Sequence, residues 1–170
     1  MVKALVAAVM TALTLTGLAL AVGQKDAFNL TANLKARSEV PKSTGVPTGA
    51  VGLFTGKAVE QKNDRASLTW RLTFSKLSGQ ATGAHIHVGR PGKAGAVMLP
   101  LCGPCKNGQR GAASITHAQL TTIRAGGAYV NIHTTKNAAG EIRGQVKASR
   151  SGSSSNPPPP PPTTEPLPYP

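Results

Sequence analysis

Alternation of polar and apolar residues recurs along this chain, and it restricts the fold to strands with one buried face. It is cleanest in Ala84-His85-Ile86-His87-Val88, Tyr129-Val130-Asn131-Ile132-His133-Thr134 and Gly140-Glu141-Ile142-Arg143-Gly144-Gln145-Val146. Ile86, Val88, Val130, Ile132, Ile142 and Val146 are expected to point into a core. His85, His87, Tyr129, Asn131, His133, Glu141, Arg143 and Gln145 are expected on the opposite face. Three of the four histidines therefore fall on strand faces that one sheet can bring together, beside an arginine.

The same pattern continues elsewhere. Phe28, Leu30, Ala32 and Leu34 alternate with Asn29, Thr31, Asn33 and Lys35, and Leu68, Trp70, Leu72 and Phe74 alternate with Thr69, Arg71, Thr73 and Ser75. Val51–Val59, Thr82–Val88, Gly95–Leu101, Gly111–Ile115, Ala128–Thr134 and Glu141–Lys147 are further strand candidates, separated by short Gly, Pro, Asn and Lys turns. About eight short strands joined this way predict an all-β, antiparallel sandwich or barrel. One short helix interrupts it. Thr116-His117-Ala118-Gln119 spells a capping box, Leu120 and Ile123 share a face, and Gly126 is placed to stop the helix.

Both ends differ from this middle. Lys3, the apolar run Ala4–Leu20 and the A-x-A triplet Ala19-Leu20-Ala21 read as a signal peptide over residues 1–21, with cleavage after Gly23 as the alternative. About 18 apolar residues are at the lower limit for spanning a bilayer, so an uncleaved anchor is the competing reading. Cleavage leaves no second stretch long enough to span, and predicts an exported protein of the periplasm, cell envelope or extracellular surface. Residues 149–170 are Ser-rich and then Pro-rich, with an unbroken run Pro157–Pro162. Such a segment lacks the backbone donors and apolar residues a core needs, and is expected to be an extended tail. Its partner would be an envelope or surface-layer protein; the plainer reading is a solvated spacer. Residues 22–148 are left as one domain.

The formal charge is +13, and one less if Lys3 is removed. A basic exported domain attracts small anions and acidic glycans. No nucleic-acid partner is expected, because the basic residues are scattered with no interleaved aromatic platform. No serine sits in a nucleophile elbow, and six acidic residues are too few for a paired-carboxylate enzyme.

His85 and His87 lie two apart on one strand face, so their imidazoles can grip one ion, and His133 on a second alternating strand strengthens that reading. Imidazole suits copper, with zinc as the alternative, better than calcium or magnesium. A surface cluster hydrogen-bonded to Asn131, Tyr129 or Glu141 is the plain alternative. His117 opens the short helix and is only an outside candidate for a fourth ligand. Glu141 and Arg143 share a polar strand face: either they form exposed ion pairs, or Glu141 orients a ligand imidazole while Arg143 draws in an anion. Asn131 is a second candidate for such a supporting role. Cys102-Gly103-Pro104-Cys105 has the spelling of a redox motif without the helix that must follow it, so a disulfide pinning a tight loop is the simplest expectation, with a metal or redox pair as alternatives.

The three opening segments, with Phe28-Asn29-Leu30, Ser38-Glu39-Val40-Pro41 and the Gly83–Gly89 block, resemble the CHRD (chordin-type) domain family over roughly Phe28 to Lys147. That resemblance implies an exported β-sandwich. The pattern is more distantly similar to copper/zinc superoxide dismutase, which implies a Greek-key-like, superoxide-dismutase/immunoglobulin-like sandwich. By that likeness His85, His87 and His133 match copper ligands, and Arg143 matches the catalytic, anion-guiding arginine. No bridging histidine and no zinc-loop cluster of His and Asp is evident, and the Cys pair does not reproduce that family's loop-to-strand disulfide. The zinc half of such a site is therefore expected to be missing. Three functions follow as expectations: a copper-only dismutase-like protein acting on superoxide, a non-catalytic metal-buffering module, and a structural or adhesion domain bound to an envelope scaffold or acidic polymer.

Overall fold

Nine strands realise the alternation in a computed structural model that describes residues 25–152. They are β1 (Ala27–Lys35), β2 (Val51–Glu60), β3 (Arg65–Ser75), β4 (Ala81–Val88), β5 (Val97–Cys102), β6 (Gln109–Thr116), β7 (Ala128–Thr134), β8 (Ile142–Gln145) and β9 (Lys147–Arg150), with one helix, α1 (His117–Arg124), between β6 and β7. The expected signal peptide and the proline run lie outside the described residues. Ser149 and Arg150, assigned to the tail from composition, are strand residues: β9 pairs with β1 from Thr31↔Lys147 to Phe28↔Arg150.

Every strand pair is antiparallel, in the order β5-β4-β7-β8-β1-β2-β3-β6, with β9 also on β1. The path has two halves, β5-β4-β7-β8 and β9-β1-β2-β3-β6, and their hydrogen-bonded link at β1–β8 is the single pair Lys35↔Arg143. The chain crosses between the halves after β3, after β5, after β6 and after β8. One apolar cluster draws from both, with Leu30, Leu34, Phe54, Leu68, Leu72, Ile86, Ile132 and Ile142 all fully buried. Each such side chain contributes roughly 2 kcal/mol by leaving water.

The helix forms as its cap dictates. The Thr116 hydroxyl accepts from the Gln119 N–H at 3.1 Å, and the Gln119 side chain accepts from the Thr116 N–H at 2.8 Å. Leu120 and Ile123 face the core. Gly126 has a positive φ of 70° just past the helix end, a conformation that favours glycine. One core assignment fails: Val88 is 45 % exposed, because the chain leaves the sheet there into the 89–96 loop. The sulfurs of Cys102 and Cys105 stand at disulfide distance in the β5–β6 connection.

The polar face of β4, β7 and β8 is not a solvent face. The loops 39–50 and 89–96 fold over it, so Tyr129, Asn131, Glu141 and Arg143 are all buried. Glu141 ties three loops together. Its carboxylate accepts from the Ser78 N–H and hydroxyl, the Thr134 hydroxyl and the Asn137 amide, while its own carbonyl accepts from Ser43. Burial pushes its pKa up, but these donors outweigh burial and hold it below the ordinary carboxylate value. Glu39 has the opposite balance. Burial raises it, opposed by the Val40 N–H, the Arg143 charge and the Asn131 amide.

The signs separate the two acids. The depressed pKa of Glu141 means its stabilisation is present above the unfolded carboxylate value and is lost as pH falls through the folded one. The raised pKa of Glu39 means that its contribution is largest below the unfolded value and is lost as pH rises. Glu141→Gln is therefore expected to cost about 2–4 kcal/mol at neutral pH, and Glu39→Gln to stay within about 1 kcal/mol of the parent. Urea unfolding of both variants checks this; equal losses would contradict it.

Candidate metal centre

The β4–β7 register builds the site. His85 lies opposite Asn131, His87 opposite Tyr129, and Gly83 opposite His133, so the three histidines occupy neighbouring positions on one face of two adjacent strands. Their ring centroids are 4.9 Å apart for His85–His133, 5.6 Å for His85–His87 and 5.9 Å for His87–His133. One ring nitrogen from each falls within 4.8 Å of the other two. The adjacency that alternation alone leaves open is thus present, and the three residues converge.

Backbone carbonyls decide which nitrogen each ring offers. A carbonyl oxygen only accepts, so Nδ1 of His87 donates to Gly95 at 3.0 Å and Nδ1 of His133 donates to Ala138 at 2.9 Å. Both rings are thereby fixed in the tautomer that leaves Nε2 with a free lone pair. His133 Nε2 lies 3.1 Å from His85 Nδ1, and His87 Nε2 is buried with no hydrogen-bond partner among the described residues. A buried, unpartnered imidazole nitrogen is costly in a purely structural role and is what a metal ligand requires. Two nitrogens bound to one ion at about 2.1 Å can be at most about 4.2 Å apart. The three nitrogens, all within 4.8 Å of one another, are grouped on that scale.

Two of the three rings favour the uncharged form. Burial, reinforced by the neighbouring His133 and His87, lowers the pKa of His85. Burial also lowers that of His87, with His133 and Arg143 acting in the same sense and the Gly95 carbonyl opposing. Both rings therefore stay neutral below the ordinary imidazole range.

The remaining candidates fall into different roles. Arg143 is 2 % exposed. Its Nη2 donates to the carbonyls of Arg90 at 3.0 Å and Lys93 at 2.8 Å, and its guanidinium lies 3.3 Å from the Tyr129 ring centroid. Tyr129 in turn stacks on His87, with centroids 4.9 Å apart and planes 9° from parallel. Strand order places Tyr129 on β7 between His87 on β4 and Arg143 on β8. Arg143 is thus a clamp on the 89–96 loop and a support behind Tyr129. Glu141 makes no hydrogen bond to a histidine, and neither does Asn131, whose amide donates to Glu39 at 3.1 Å. His117 stands apart at the start of α1, exposed and 3.7 Å from Glu60.

Three contributors escaped the sequence reading: the Gly95 and Ala138 carbonyls and the stacking role of Tyr129. The glycines of the 89–96 loop were the available signal. A side chain at Gly95 would collide with the Val88 carbonyl, and one at Gly89, where φ is +157°, would meet the Tyr129 ring at 2.8 Å. Only glycine lets this loop lie directly on Tyr129 and present its carbonyl to His87. The loop also carries Arg90 and Lys93, both exposed beside the site.

No curated protein and no solved structure matches the chain. The CHRD domain family matches residues 30–146, which include every strand of the histidine site and well over half of the sequence. On the strength of that match, the chain belongs to the CHRD domain family.

Proposed function

We propose that this is an exported metal-binding CHRD protein that holds copper, or zinc as the alternative, through His85, His87 and His133. The observation that carries the reading is the buried, unpartnered Nε2 of His87, held toward two further imidazoles by a carbonyl bond at its other nitrogen. All-imidazole donors favour copper and zinc over hard cations. Three protein ligands is also the count of sites that keep a position for water or substrate. A Cys102–Cys105 disulfide fits an oxidising compartment and supports export.

Removal of superoxide is the activity we attach to the copper form. Copper bound there would supply one-electron redox chemistry. The chain's own residues would do the rest: Gly95 and Ala138 fix the ring tautomers, and Tyr129 holds the plane of His87. Arg90 and Lys93, exposed on the covering loop, together with the net positive charge, would draw a small anion inward. Arg143, buried against two carbonyls, would act by holding that loop and Tyr129 in place. Metal buffering without turnover is the second reading, supported by the same three ligands.

Calorimetric titration with Cu(II) and Zn(II) tests the proposal. Replacing His85, His87 or His133 by Ala is expected to weaken binding about a hundredfold or more, and Arg143→Ala about tenfold. Unchanged affinity in the histidine variants would overturn the site. Because His85 and His87 are held below the usual 6.5, protons should compete with the metal for these two rings at lower pH than that. Loss of binding already above pH 6.5 would contradict the assignment. A superoxide assay on the copper-loaded protein separates turnover from buffering.

A further inference from the structure

The outward face of β9, β1, β2, β3 and β6 carries a second feature, independent of the histidines on β4 and β7. Registers place Lys147 opposite Thr31, Thr31 opposite Thr55, Thr55 opposite Arg71, and Arg71 opposite Arg110. These five residues form one row running across five strands, about 19 Å at the usual strand spacing. Lys57 sits in the adjacent row, between Asn29 and Thr69. Lys35 and Arg65 stand on the same face nearer its ends. All six basic side chains are exposed.

Nothing on this face neutralises them. No outward position of the five strands is acidic. Among the described residues the ion pairs are His117–Glu60, Arg124–Glu60 and Arg150–Asp26, and none includes a residue of the row. Arg71 directly opposite Arg110 is a like-charge cross-strand pair, which destabilises a sheet unless an anion lies between the two. A shallow groove runs there, lined by Thr55, Lys57, Thr69, Arg71 and Arg110 and floored by Gly56, Trp70 and Gly111. Trp70 and Gly111 are paired at inward positions and the indole is in the core, so these positions offer this face backbone only.

We infer that this face is the docking surface for an acidic polysaccharide. Charge complementarity sets the sign of the partner, and the width of the row asks for a repeating anion rather than a single small one. The hydroxyls of Thr31, Thr55 and Thr69 and the amide of Asn29, interleaved with the cations, suit sugar hydroxyls. Nucleic acid is the poorer fit, since no exposed aromatic side chain stands on the face for bases to stack on.

Binding of polygalacturonate to the full chain, followed by titration calorimetry at low and moderate salt, tests this. The double variant R71Q/R110Q is expected to lose about tenfold in affinity at moderate salt and to show a shallower salt dependence. K42Q/K136Q removes the same charge from loops outside this face and is expected to bind as the parent does, as is H85A/H87A. Equal loss in the two charge-matched doubles would overturn the proposal, since it would reduce the effect to net charge. So would absence of polygalacturonate binding at low salt, or tighter binding of duplex DNA than of the polysaccharide. Circular dichroism of each variant confirms that the sheet is retained.

Discussion

Pairing of β4 with β7 in a single register is the constraint on which the rest of the molecule depends. The side-chain period of a strand is two, so a slip by one residue would move His85 and His87 into the core and Ile86 out of it. Ile86, Val130 and Ile132 are completely buried on the inner side of this pair, and that burial holds the register. The same contacts that stabilise the fold therefore set the spacing of the three imidazoles. The cluster needs no separate structural device to bring its imidazoles together, only one to orient them.

Orientation comes from the polar layer on the outer side of the pair. In most antiparallel sheets such a face meets water. Here the loops 39–50 and 89–96 cover it, and each covered polar group must find a partner in the protein. Glu141 succeeds completely, with four donors on its carboxylate. Glu39 Oε2, Asn131 Oδ1 and Arg143 Nη1 each lack a partner among the described residues. Burying these groups costs stability, and in return the layer fixes the loop whose carbonyl sets the tautomer of His87. The run from Arg143 through Tyr129 to His87 is the physical link between loop and imidazole.

Much of this was legible in the residues, and the remainder was hidden for identifiable reasons. β7 has the bounds that its alternation predicts, and the Thr116–Gln119 capping box begins α1 where its spelling does. Each depends on chemistry within a few residues. The histidine trio was also readable, because period two places residues on a face without knowledge of the fold. What alternation leaves open is whether an outward face meets solvent or another segment, since the covering loops have no period of their own. The alternation leaves Glu141 as an exposed or imidazole-orienting residue and Arg143 as an exposed or anion-guiding one for that reason, and both are buried. Val88 fails at a strand end, where the pattern continues for one residue after the core has stopped. The break between β8 and β9 at Val146 has no signature in composition.

The two faces divide the domain by chemistry. The covered half holds neutral, oriented imidazoles suited to a transition metal, and the bare half displays unpaired cations suited to a polyanion. The central claim is the first, that three histidines converge on one ion. Electron paramagnetic resonance of the protein loaded with one equivalent of Cu(II), recorded alongside a His133→Ala variant, tests it most directly. The expected result is a single spectrum with hyperfine coupling to several nitrogens, altered when His133 is lost. A weak, heterogeneous spectrum indifferent to His133 would contradict it and leave the histidines a structural cluster.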